Sequence, residues 1–102
     1  MKIAVAAPVS ATALLASSLI LAAPSYADDS AVFGQQAHIA ICNMVGQEPT
    51  PHGIWAANSV LLTEQGSFDL NYGQMQKAIG YAIANYCPQY KDIYATYRQT
   101  YP

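Results

Sequence analysis

Leu70–Tyr90 reads LNYGQMQKAIGYAIANYCPQY. Asn71 carries the short polar side chain of a helix N-cap. Gln74 stands three residues on, where a capping-box partner reaches back to the cap backbone. Leu70 and Met75 hold the two positions of a hydrophobic staple. Met75, Ala78, Ile79, Ala82, Ile83 and Tyr86 then recur at helical spacing, so one face is apolar throughout. Pro88 removes an intrahelical donor and pushes Cys87 out of the α region, so the helix ends or kinks near Cys87. The stretch predicts a capped helix with a cysteine at its stop.

Toward the N-terminus the same logic gives two more helices. Over Ser30 to Val45, the residues Phe33, Ala37, Ala40, Ile41 and Met44 share one face. Cys42 lies on nearly the opposite side, with His38 one turn before it and Ile39 beside it. A helix apolar on both sides expects neighbours on both sides. Gly46 supplies a C-cap, and Pro49 follows. The next segment opens with Thr50 as N-cap and Pro51 at the first helical position. Ile54, Trp55, Asn58, Leu61 and Leu62 form its stripe, with Trp55 expected as a core anchor, and Gly66 ends it. Asn58 inside that stripe is a buried polar group that needs a partner.

Toward the C-terminus, Pro88 opens a last amphipathic piece. Tyr90, Ile93, Tyr94, Tyr97 and Tyr101 fall on one face of it, with Lys91, Asp92 and Arg98 elsewhere around the helix. No segment alternates with period two, and there are no internal repeats, so no strand is predicted. The expectation is an all-α fold of three or four helices.

The first residues address the compartment. MKIAVAAPVSATALLASSLILAAPSYA has one cation, Lys2, and no further charge until Asp28. ALLASSLILAA has the length of a signal-peptide apolar region rather than a bilayer span, and SYA places small residues at −3 and −1 of a cut after Ala27. The expectation is a cleaved signal peptide over 1–27 and a single small helical domain over 28–102. The product would be secreted or held in the cell envelope, with no membrane span in the mature chain. No cysteine stands at the cut to accept a lipid anchor. A mature chain of about 75 residues is marginally stable on core burial alone. Its six carboxylates face only Lys77, Lys91 and Arg98. Three cations scattered along the sequence make no footprint for nucleic acid, and they disfavour an anionic membrane surface.

An exported chain with two cysteines and no more reads most simply as one disulfide, here Cys42 to Cys87. It would tie the first helix to the end of the capped one. The closed loop is long, so the chain-entropy estimate of its stabilisation is about 4 kcal/mol. Metal binding is the sharper alternative, because His38, Cys42, His52 and Cys87 form a nominal two-His, two-Cys set. Zinc sites, however, usually bring ligands in close pairs, and His52 and Cys87 have no near partner in sequence. Free thiols or pairing between chains are the remaining readings. No metal and no cofactor is expected.

From Ala37 to Tyr90 the chain resembles the domain-of-unknown-function 732 (DUF732) family, small secreted proteins of mycobacteria and other actinobacteria. The residues that carry the likeness are the helical cysteine in HIAICNMVG, the capped alanine-rich helix and the Tyr86-Cys87-Pro88 ending. The segment before Cys42 is shorter than is usual there, and the chain continues past Pro88 where many members stop. The resemblance implies a compact helical domain with one disulfide. It implies no activity.

Catalysis needs a nucleophile, a base and a stabilising site in one cleft. Ser30, Ser59 and Ser67 sit in no nucleophile-elbow motif. His38 lies on an apolar helix, His52 reads as a first-turn residue, and Glu64 and Asp69 flank a glycine turn as solvated groups. The expectation is therefore a non-catalytic extracellular or envelope interaction module with an unidentified protein or envelope partner. Its candidate interaction face is Tyr90, Tyr94, Tyr97 and Tyr101, since tyrosine gives large contact area at low entropy cost. The competing reading of that face is closure of the core. The alternative function is carriage of a small apolar ligand or haem, with His38 or a tyrosine reaching the iron.

Overall fold

The computed structural model describes residues 29–102, and the expected signal segment over 1–27 lies outside the described residues. The order is α1 (Asp29–Gln36), α2 (His38–Gln47), α3 (Pro51–Thr63), α4 (Tyr72–Tyr86), a 3-10 turn (Pro88–Tyr90) and α5 (Lys91–Thr100). The fold is all-α, and no strand occurs among the described residues.

Among the described residues there are five helices rather than three or four, because the first segment breaks at Ala37, whose φ of −102° and ψ of 14° leave the α region. Hydrogen bonding still crosses the break: the Ala37 N–H donates to the Phe33 carbonyl at 2.8 Å, and the Ile41 N–H to the Ala37 carbonyl at 2.9 Å. The buried face runs through Phe33, Ile41 and Val45, whereas Ala40, expected inside, is exposed. Val45 follows Ile41 by four residues, which keeps it on the same side of the helix.

α4 is the centre of the molecule. Met75, Ala78, Ile79 and Ala82 are fully buried, with Ile83 nearly so, and the other helices pack around this stripe. Each large apolar side chain buried this way contributes about 2 kcal/mol relative to exposure. Both capping-box bonds form: the Gln74 N–H donates to Asn71 Oδ1 at 2.8 Å, and the Asn71 N–H to Gln74 Oε1 at 2.9 Å. Leu70 and Met75 are both buried, as a staple requires. Gly34 allows α1 to close on α4, since a Cβ there would meet the Ala78 carbonyl oxygen at 2.5 Å. Tyr86, placed on the stripe by spacing, lies past this packed region and is exposed.

In α3, Thr50 Oγ1 accepts from the Gly53 N–H at 3.0 Å and Pro51 holds the first helical position. The buried stripe is Ile54, Ala57, Asn58 and Leu61. Ala57 takes the place expected of Trp55, so the indole turns to the edge and remains 39% exposed. Its ring lies 6.0 Å from that of Tyr101. The helix ends at Thr63, before Gly66, which adopts φ +70° in the following turn. That connection is held by Gln65. Its side-chain amide donates to the carbonyls of Leu62 and Leu70 at 3.0 and 3.1 Å, and its Oε1 accepts from the Leu70 N–H at 2.7 Å.

α4 stops at Tyr86. Cys87 has φ −145° and its N–H donates to the Ile83 carbonyl at 3.1 Å. A Cys42–Cys87 disulfide joins α2 to this stop, with the Cα atoms 6.1 Å apart across a sequence separation of 45. Beside it the His38 and Tyr86 rings stack at 3.8 Å, a second tie between the same two helices.

Candidate functional site

α5 runs back along α4. The Gln76 side-chain amide, near the start of α4, donates to the Tyr101 carbonyl at 2.8 Å, and the Tyr94 hydroxyl donates to the Gln76 carbonyl at 2.7 Å. Tyr97 is fully buried, and Tyr90, Tyr94 and Tyr101 are partly buried against the core. The face named above as a candidate interaction surface is thus turned into the fold. The physical reason is twofold: a small chain needs the aromatic area for its core, and the hydroxyls of Tyr94 and Tyr97 find partners within the chain.

Those partners form a polar cluster under α5. The Tyr97 and Tyr72 hydroxyls lie 3.0 Å apart, and the Asn58 side-chain amide donates to the Tyr97 hydroxyl and the Tyr72 carbonyl, both at 3.4 Å. Asn58 Oδ1 is buried without a hydrogen-bond partner. Burial first, and then the hydrogen bond with Tyr72, push the Tyr97 phenol well above the ordinary tyrosine value. Sequence spacing exposed Asn58 as needing a partner, but not Tyr72 or Tyr97 as supplying the contacts.

With the tyrosines inward, the flank of α5 and the adjoining flank of α4 form an open groove of about 480 Å3. Lys77, Gly80, Tyr81, Ile83 and Ala84 line it from α4, and Lys91, Tyr94 and Arg98 from α5. Every Lys and Arg among the described residues is in that set. Lys77, Gly80, Tyr81 and Ala84 stand at i, i+3, i+4 and i+7, and Lys91, Tyr94 and Arg98 at i, i+3 and i+7, so each helix contributes one continuous face. Cations that look scattered in sequence are gathered by helix pairing. Arg98 is held in place: its Nη1 donates to the Tyr94 hydroxyl at 3.2 Å, and its guanidinium carbon lies 5.9 Å from the Tyr94 ring centre. Among the described residues, no carboxylate lines the groove and none pairs with these three cations. The walls between the charges are glycine, alanine, isoleucine and tyrosine carbon. Such a surface can accept a negative group together with an apolar body.

A second, smaller groove of about 290 Å3 lies between α2 and α3, lined by Met44, Gln47, Glu48, Gly53, Ala56, Ala57 and Val60. At its rim His52 Nδ1 lies 3.1 Å from Glu48 Oε2, and Thr50 Oγ1 donates to the same oxygen at 3.1 Å. The His52 hydrogen bond, and then that from Thr50, hold the Glu48 carboxyl below its ordinary value. Thr50 gives its proton to a carboxylate and its lone pair to the Gly53 N–H. The arrangement caps α3 and does not pair a nucleophile with a base. Glu48 was not singled out by sequence reasoning, although its spacing to Thr50 and His52 carried the signal.

The remaining sequence candidates are dispersed. His38 has its Nδ1 2.8 Å from the Gln35 carbonyl and lines neither groove. Ser59 bonds the Trp55 carbonyl at 3.3 Å, and Ser67, Glu64 and Asp69 are exposed. The nominal metal set is not brought together, because Cys42 and Cys87 are bonded to each other while His52 meets Glu48. No helix among the described residues is long and apolar enough to cross a membrane. No protein-family model, curated protein or solved structure matches this chain, so the functional reading rests on the residues themselves.

Proposed function

We propose that this protein is a non-catalytic binding protein of the cell envelope or the medium, with the α4–α5 groove as its binding surface. The observation that carries the reading is the convergence of Lys77, Lys91 and Arg98 on one apolar-walled groove. Like charges gathered in a cleft with apolar walls focus their field and raise the local concentration of negatively charged ligands. Export through a signal peptide belongs to the same proposal. It is supported by the disulfide, which forms and persists outside reducing compartments. Kinship with the DUF732 family is supported by the Tyr86-Cys87-Pro88 ending and by that bridge.

Carriage of a small ligand is the second reading, favoured by the groove volume, which falls in the range of small-molecule sites. Haem carriage through His38 gains nothing from the geometry, because His38 is not at the groove.

The test uses the exported protein, purified with its disulfide intact from the organism that makes it. Native mass spectrometry would compare it with a variant carrying Lys77→Gln, Lys91→Gln and Arg98→Gln. The expected result is retained mass, small molecule or partner, on the parent and its loss from an equally stable variant. Equal retention by both would move the binding surface elsewhere.

A further inference from the structure

We propose that the α4–α5 groove takes a single-chain anionic amphiphile, with its negative head between Lys77 and Arg98 and its apolar chain over Tyr81, Ala84 and the Tyr94 ring. The inference rests on the reading that this groove is the binding surface, and adds the chemical class of the occupant.

The antiparallel course of the two helices sets the ends of the site. Gln76 bonds to the Tyr101 carbonyl, and Tyr94 bonds back to Gln76. The start of α4 therefore lies beside the end of α5, and Lys77 and Arg98 share one end of the groove. Lys91 opens α5 and stands at the other end, near Ala84. Arg98 is preorganised by its bond to the Tyr94 hydroxyl, so less side-chain freedom is lost when it meets an anion. Between the charged ends the lining is carbon: the Ala84 methyl and the rings of Tyr81 and Tyr94, the latter covering Gly80, with Ile83 buried beneath. From Lys77 to Ala84 the helix rises about 10 Å, room for an extended alkyl chain.

The dimensions decide against the larger alternatives. An α-helix is about 10–12 Å across with its side chains, whereas about 480 Å3 matches a small molecule. A nucleic acid would meet only three cations on a chain whose formal net charge is −2, too few phosphate contacts for useful affinity. A bare inorganic anion would leave the apolar walls unused. Carboxylate and phosphate-monoester heads share the required charge, and the probes separate them.

The experiment titrates the disulfide-bonded protein, below micelle concentration, with dodecanoate, dodecyl phosphate and dodecanol. Calorimetry gives affinity, and amide chemical shifts of Gly80, Tyr81, Ala84 and Tyr94 give location. Saturable one-to-one binding of dodecanoate or dodecyl phosphate is expected, with dodecanol at least about tenfold weaker. Lys77→Gln with Arg98→Gln should cost at least about tenfold at unchanged thermal midpoint, and Lys91→Gln about threefold or less. Whichever anionic head binds more tightly identifies its source chemistry. Equal affinity for dodecanol, or shifts confined to α2 and α3, would overturn the proposal. A short acidic peptide and inorganic phosphate serve as further arms. If either shifts the groove amides while both amphiphiles do not, the ligand class is wrong and the groove remains the binding surface. If none of the probes shifts them and the charge-neutral variant retains host material as well as the parent does, both readings fail.

Discussion

The Tyr94 ring covers Gly80, and the Tyr94 hydroxyl donates to the Gln76 carbonyl at 2.7 Å. A Cβ on Gly80 would meet the Tyr94 hydroxyl oxygen at 2.6 Å. This seat fixes how α5 lies on α4, and so decides which residues of α5 face the core and which form the cationic groove.

Gly80→Ala tests the seat by its sign. In an unobstructed helix interior this change stabilises by about 1 kcal/mol. Here the added methyl displaces a hydrogen-bonded ring, and a net loss of about 1–2 kcal/mol is expected. In a Tyr94→Ala background the obstruction is gone, and Gly80→Ala should stabilise by about 1 kcal/mol. Urea denaturation of the four proteins measures both arms. The same stabilising effect in both backgrounds would mean that the ring is not there.

Tyr97 predicts an alkaline limit to stability. Its phenol is held neutral in the fold, so its folded pKa is raised above the ordinary tyrosine value. The contribution is fully present below about pH 10, where the unfolded tyrosine is also protonated. Above that, the unfolded state ionises first and binds fewer protons, so stability falls as pH rises. Tyr97→Phe should flatten the decline in thermal midpoint as pH rises above about 10. At neutral pH it should cost about 1–3 kcal/mol, because the buried Asn58 amide and Tyr72 hydroxyl lose a partner. An undiminished alkaline decline in the variant would assign it to other groups.

Reduction of the Cys42–Cys87 bond should cost about 4 kcal/mol, much of the stability of so short a chain. Circular dichroism during urea titration, with and without reductant, measures the shift in midpoint. Coincident curves would show that the helices hold without the bridge.

Gln65→Ala should remove the clasp on the α3–α4 connection and leave the Leu70 N–H and carbonyl without their side-chain partners. The expected cost is about 1–3 kcal/mol, with faster hydrogen exchange at the Leu70 amide. Unchanged exchange at Leu70 would count against the clasp.

The pattern of what the sequence disclosed follows from how local each interaction is. The Asn71–Gln74 capping box, the Thr50 cap and the buried stripe of α4 depend on residues within two turns of one another, and spacing alone reveals them. The disulfide was legible because the chain offers two cysteines and no more. Ala40 and Trp55 were misplaced inside because helical spacing leaves the rotation of a face open, and the break at Ala37 and the seating of Ala57 set it. The tyrosine face was legible as a face, but its direction depended on Gln76, Asn58 and Tyr72, which lie on other helices. The groove was least legible of all. Lys77 and Lys91 become neighbours of one cavity only when α5 folds back on α4.

The most direct measurement is of the Gly80 and Tyr94 protons in the disulfide-bonded protein by nuclear magnetic resonance. Cross-relaxation between the Gly80 α-protons and the Tyr94 ring is expected, with ring-current displacement of the Gly80 resonances. Gly80 at an ordinary helical glycine position, with no contact to Tyr94, would contradict the inward docking of α5 and the groove that depends on it.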